Sequence, residues 1–311
     1  MKTENEPVTV PDYVESLIAA LASCGAIEPS TRCRYAYAAR HIRAAFGDTP
    51  LGELTPRAAR AWEAAMLASG QSAASVSKAH RLLRQAMADA VLCGCAESNP
   101  MDLVKPPKKR PVKGKNALGA QGRARMLEAL RSEEPCRVSA AALTALYTGL
   151  RVGEVCGLKW GDVDWEAGVL WVRRSVGRDG GAVYVKETKT GRVRDVALPD
   201  GLAAELRRWR AVCPKGPFVI GGERAARPDT VARQWSQKAA RLGLIGEDGR
   251  PATMHALRHT WATMAVAAGV DIKTVASNLG HANAAMTLNT YASADPDAKR
   301  RCAEVVGALL G

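Results

Sequence analysis

Several things are missing from this sequence, and each absence closes a class. No run of 18 or more apolar residues occurs in its 311 residues, which excludes a membrane-spanning helix, so no membrane partner is expected. The opening MKTENEPVTV has no apolar core of a secretory signal. The eight cysteines include no CxxC pair, and Cys93-Gly94-Cys95 is the only close spacing. That excludes a zinc framework or a disulfide scaffold. Scattered thiols suit a reducing compartment, so a cytoplasmic location is expected. Aromatics are scarce at 5%, while alanine, the best intrinsic helix former, is abundant. Acids are in deficit: 31 against 44 Lys and Arg, a net charge of +13. An excess of that size points to a polyanion partner, because each phosphate neutralised releases a condensed counterion.

What is present falls into two parts. The length suits two domains. Residues 1–10 read as a tail and 11–99 as helices. Pro11 opens the first, and the second runs from Pro29 to Phe46. Thr55-Pro56 caps a third that ends at Gly70, and a fourth runs from Ser72 to the stop at Asn99-Pro100. Residues 100–116 form a basic, proline-rich linker. Lys105, Lys108, Lys109, Arg110, Lys113 and Lys115 stand among three prolines with no acid. Proline bars regular helix there, and the segment reads either as a solvated linker or as a strap along a phosphate backbone. Residues 117–311 make the second domain. Its helices are expected near 119–131, 136–148, 200–212, 227–242, 253–268, 271–278 and 296–309. Between 168 and 198 the period changes, and valines separated by Gly-rich turns read as a small antiparallel sheet. The fold class is therefore mainly α with a small antiparallel β-sheet.

Four blocks carry chemistry. TGLRVGEVCGLKW (148–160) sets Arg151 one helical step before Glu154. This is either a half-buried ion pair or an arginine held by Glu154 and aimed at phosphate, which its planar fork grips through two oxygens. KETKTGRVRDVAL (186–198) puts Lys189 at an expected hairpin turn, either solvated or reaching into a DNA groove. MHALRHTWATMAVAAGV (254–270) sets His255 and Arg258 on one helix face. His255 and His259 have a zinc-like spacing, but Ala256 stands where H-E-x-x-H has its glutamate. No metal or other cofactor is expected. TVASNLGHANAAMTLNTYA (274–292) carries His281 and, ten residues on, Tyr291, in a segment with a helix-turn-helix look.

In this order the blocks resemble the tyrosine recombinases, the integrases of phages and mobile elements. That family's signature is TGLR-x-x-E, a hairpin Lys, H-x-x-R, LGH and then a Tyr. Its positions match here as Arg151 with Glu154, Lys189, His255 with Arg258, His281 and Tyr291. One departure is Ala256, where the family often has Asp. The resemblance implies a helical core-binding (SAM-like) domain over 11–99 and a catalytic domain over 117–311, closing as a clamp on double-stranded DNA. It implies DNA cleavage through a 3′-phosphotyrosyl link formed by Tyr291. His255 would be proton acceptor, Arg151 and Arg258 the phosphate clamp, His281 a donor to the same phosphate, Lys189 the acid and Glu154 the support of Arg151. It also implies a homotetramer on two duplexes, docked through the stripe Ala298, Cys302, Val305 and Leu309, with an accessory directionality factor as an optional partner. With ten residues before Pro11, no arm-binding domain is expected. A type IB topoisomerase-like enzyme and a non-catalytic helix-turn-helix regulator are the other readings left open.

Overall fold

The computed structural model describes residues 7–108, 116–187, 193–281, 283, 304 and 307–308. Two compact units divide the chain: Met1–Pro111 with Arg178–Ala182, and Val112–Gly177 with Val183–Gly311. Each has its own core.

The first unit is built on four helices: α1 Val10–Ser23, α2 Pro29–Phe46, α3 Pro56–Ala68 and α4 Ala73–Leu92. Their starts follow from side-chain caps. Thr9, Thr55 and Ser72 each accept a backbone N–H from the first turn, and proline sits at the first positions of α1, α2 and α3. The cap at Thr9 starts α1 one residue earlier than Pro11 alone suggests. The fourth helix stops at Leu92, short of Asn99-Pro100, because the Cys95 amide turns back onto the Ala90 carbonyl (2.8 Å). Val14, Ile42, Phe46, Trp62, Leu82, Leu83, Met87 and Met101 form the core. Fully burying one such side chain contributes about 1.5–3 kcal/mol. Phe46 and Trp62 meet edge to face at 5.5 Å, within the favoured geometry for aromatic pairs. One polar pair lies inside this core, His80 Nδ1 against Glu63 Oε1 at 2.5 Å.

The second unit holds α5 Ala120–Ser132, α6 Arg137–Thr148, α7 Val152–Gly157, α8 Asp200–Val212, α9 Pro228–Arg241, α10 Met254–Ala267 and α11 Ile272–Leu279. The short α7 was not apparent as a separate helix. Among the described residues five strands occur between α7 and α8: β1 Val163–Asp164, β2 Val169–Val172, β3 Arg174–Asp179, β4 Ala182–Glu187 and β5 Arg194–Ala197, with the tip Arg178–Ala182 counted in the first unit. The expected single sheet is two. β1-β2-β5 form a three-stranded antiparallel sheet, and β3-β4 pair separately. Side chains alternate along β5, so Arg194 and Val196 share a face, and Val196 is buried. The core centres on α6, whose Ala140–Ala142, Leu143 and Ala145 are all buried. Small residues there let neighbouring elements close in. Leu118, Leu150, Leu170, Leu202 and Trp235 complete it. The architecture is thus mainly helical with small antiparallel sheets. Among the described residues no helix is long and apolar enough to cross a membrane.

Candidate active site

The site forms where the end of α6, the start of α7, the start of β5, the first turn of α10 and the end of α11 meet. Thr148-Gly149-Leu150-Arg151 links α6 to α7. Gly149 closes α6 in the left-handed region (φ 72°), and a methyl group there would stand 2.8 Å from the Trp261 ring and 3.0 Å from Leu279. The turn therefore requires glycine twice over, for its torsion and for its neighbours. It delivers Arg151 to the N-terminus of α7.

Glu154, three residues on, is almost fully buried. Its Oε2 accepts from the Arg151 backbone N–H (2.9 Å) and its Oε1 from Arg151 Nη1 (2.9 Å). The first of these satisfies an amide at the helix start, as in one half of a capping box. Arg194 supplies two further donors, Nη2 to Oε2 at 2.8 Å and Nη1 to Oε1 at 3.2 Å. Burial alone would push the Glu154 carboxyl up. The hydrogen bonds and charge of Arg194, then of Arg151, hold it below its ordinary value. Both guanidiniums also reach the end of α11. Arg151 Nη2 donates to the Gly280 carbonyl (3.1 Å) and Arg194 Nε to the Asn278 carbonyl (2.9 Å). Asn278 Nδ2 donates in turn to the Thr148 carbonyl (2.8 Å). The result is a closed ring of hydrogen bonds through three separate stretches of chain.

Arg258, on the buried side of α10, donates to the carbonyls of Gly149 (2.9 Å) and Leu279 (2.8 Å). Its Nη2 also lies 2.8 Å from His281 Nε2. A guanidinium has no acceptor, so His281 Nε2 accepts and the proton of a neutral ring sits on Nδ1. Burial first, then Arg258, Arg151 and Arg194, push the His281 pKa down to about 4, with Glu154 opposing. His281 is therefore neutral near pH 7. His255 keeps substantial solvent access at the start of α10. Partial desolvation, then the charges of Arg258 and Arg151, lower its pKa as well. Its ring packs edge to face on His259 at 4.4 Å.

Of the residues singled out from sequence, Arg151, Glu154, Arg258 and His281 come together, with His255 beside them on α10. Lys189 and Tyr291 lie outside the described residues, as do Lys109, Arg110, Lys113, Lys115 and the stripe of Ala298, Cys302, Val305 and Leu309. Lys105 and Lys108 are exposed, and Ser77 holds the nearby chain through the Pro107 carbonyl (3.2 Å). Arg194 and Asn278 were missed. Arg194 had left a signal: an arginine on the same strand face as Val196 points inward and needs a partner. Chemically, two guanidiniums that share one carboxylate and a third seated on two backbone carbonyls, beside two histidines held neutral, suit a phosphate anion and can accept a proton.

The sequence model of the phage integrase family matches residues 118–297. The chain is 30% identical over 320 aligned residues to the integrase of Mycobacterium phage D29, covering 98% of this chain and 81% of that one. It is 31% identical over 290 residues to the tyrosine recombinase XerC of Rhodospirillum centenum, covering 86% and 79%. Among solved structures, the Tn1549 transposon integrase in complex with transposon right end DNA aligns with TM-score 0.79 at 23% identity. That match covers 96% of this chain and 100% of that one. A lambda integrase dimer bound to a COC′ core site aligns at 0.74 and 23%, covering 93% and 98%. At such identities these two speak to the fold.

Proposed function

This chain belongs to the phage integrase family, the tyrosine recombinases, and from that membership we propose how its own residues cut and rejoin DNA. It is a site-specific tyrosine recombinase, a transesterase that breaks and reseals DNA strands. The topoisomerase-like and regulator readings find no support in its relatives. Its partner is DNA, and it works as a multimer.

Tyr291 is the nucleophile. Its oxygen attacks the scissile phosphorus, the bond to the 5′-oxygen breaks, and a 3′-phosphotyrosyl link and a free 5′-hydroxyl result. The 5′-hydroxyl of a partner strand then attacks the same phosphorus and releases the tyrosine. One phosphodiester replaces another, so bond energy is conserved. A free tyrosine with pKa ~10 is ionised only about one part in a thousand at neutral pH, so the phenol needs help to lose its proton. His255, unprotonated near neutrality, takes it. Arg151 and Arg258 bind the nonbridging oxygens, where charge builds in the transition state, and one such donor is worth about 3–4 kcal/mol of barrier. His281 adds a hydrogen bond from Nδ1, and Lys189 protonates the leaving 5′-oxygen. Residues 11–99 are the core-binding domain and 117–311 the catalytic one. The 100–116 linker, through Lys105, Lys108, Lys109, Arg110, Lys113 and Lys115, follows the DNA backbone between them. The C-terminal stripe docks on a neighbouring protomer in a tetramer on two duplexes.

The observation that carries this reading is the meeting of Arg151, Arg258 and His281 around the ends of α6 and α11. Tyr291→Phe tests it. The variant is expected to bind DNA as tightly as the parent yet leave no protein–DNA adduct on a denaturing gel. Adducts formed by the variant would remove Tyr291 from its role.

A further inference from the structure

Arg194 contributes two of the four donors that hold Glu154, and no part of the reaction just described uses it. Its guanidinium is mostly buried and lies over Gly280, where an added methyl group would come within 2.8 Å of Nη1. Glu154 is one carboxylate between two cations. If only one were there, the buried carboxylate would draw that cation into a closed pair, because an uncompensated buried charge is costly. A fork that spends its donors on a carboxylate has fewer left for phosphate.

We propose that Arg194 is a positioning residue for phosphoryl transfer: it takes half of the Glu154 carboxylate, so that the Arg151 guanidinium stays turned toward the scissile phosphate. Through Asn278 it also pins the end of α11, which carries His281. The role acts at two places. Arg151 keeps its aim, and the site keeps a positive field around the phosphate. The groups that set that field at His281 are Arg258 on α10, Arg151 and Glu154 on α7, and Arg194 on β5. The inference rests on the reading of this site as the one that cleaves DNA.

The test compares Arg194→Gln and Arg194→Lys with the parent, using the full chain and a nicked duplex that traps the covalent adduct. With saturating DNA, Arg194→Gln is expected to slow adduct formation about 100-fold, the scale of losing one transition-state donor. DNA affinity should change less than about threefold, and Arg194→Lys should recover about tenfold of the rate, because the charge returns without the fork. A methylphosphonate at the scissile position removes the charge that the site must balance. On that substrate the deficit of Arg194→Gln should shrink to about fivefold or less. Titration of the His281 ring by NMR, without DNA, gives a readout independent of activity. Its midpoint should rise in Arg194→Gln and stay near the parent value in Arg194→Lys. Equal adduct rates in Arg194→Gln and the parent overturn the proposal. So does a deficit that is the same on both substrates with an unmoved His281 midpoint, which would mark a purely structural arginine. If Arg194→Gln does not fold, Arg194→Lys against the parent decides: a rate within about tenfold of the parent's with a native His281 midpoint supports the role of charge, and a larger loss or a shifted midpoint overturns it. A parent chain that forms no adduct would sink the reading of the site instead, and the His281 midpoints would then decide the placement of Arg194 alone.

Discussion

At Gly280 the backbone sits at φ 62° with the Arg194 guanidinium pressed against its open face. Two separate penalties therefore meet any side chain there, one torsional and one steric. Gly280→Ala should cost about 1–3 kcal/mol. In a unit of this size that lowers the melting temperature by roughly 2–4 °C per kcal/mol. The same change displaces Arg194, so it should also slow covalent adduct formation. A variant with the parent's melting temperature and rate would show that the loop can give way freely. The motif LGH is thus legible in two layers. Its histidine is visible as chemistry from sequence alone. The reason for its glycine becomes visible only when residue 194, far away in the chain, is found resting on it.

On the scale of elements, α7 shows what sequence patterns give and what they withhold. Its six residues are too few to form a stable helix alone, and no apolar period marks it. It exists because Glu154 caps its start and because Val155 and Cys156 are buried against the rest of the unit. The long helices announce themselves through caps and period: α2 begins at Pro29 and ends at Phe46 as its sequence indicates. The strands between 169 and 197 are legible as strands, but the two-residue β1 lies before the expected span, and the pairing into two sheets is not legible, since pairing depends on partners remote in sequence. Glu154→Gln tests the element. It leaves Arg151 and Arg194 facing one another without a carboxylate, and breaking a buried pair typically costs about 3–5 kcal/mol. The sign with pH follows from the lowered carboxyl. The stabilisation is complete above the unfolded value of 4.5 and fades as pH falls through the lower folded value. Denaturant titrations of parent and Glu154→Gln should therefore differ most near neutrality and converge in acid. A gap that persists at pH 3 would mean that charge is not the source.

For the whole molecule, the charge of +13 is the property read most directly from composition, and it belongs to binding, not to folding. The affinity for duplex DNA should fall linearly with log salt concentration, with a slope near −0.9 for each phosphate contacted. Lys105→Gln with Lys108→Gln, both exposed positions, should flatten that slope by about 2. An unchanged slope would take the linker off the backbone. The chain divides into two units, each with its own apolar core. What composition could not reveal is where the charge is used. Arg151, Arg194 and Arg258 are three among 44 basic residues. Only their shared acceptors, Glu154 and the turns ending α6 and α11, set them apart.

Those acceptors have a consequence for the life of the protein. The carbonyl that seats Arg151 lies 129 positions later in the chain, and one that seats Arg258 lies 21 later. During synthesis Arg151 is made long before its seat, and Arg258 first finds only its Gly149 carbonyl. A ribosome-bound or prematurely terminated product ending before residue 279 has neither of these seats, and Tyr291 is later still. Arg151 and Arg258 thus reach these seats only once the chain has been made through residue 280.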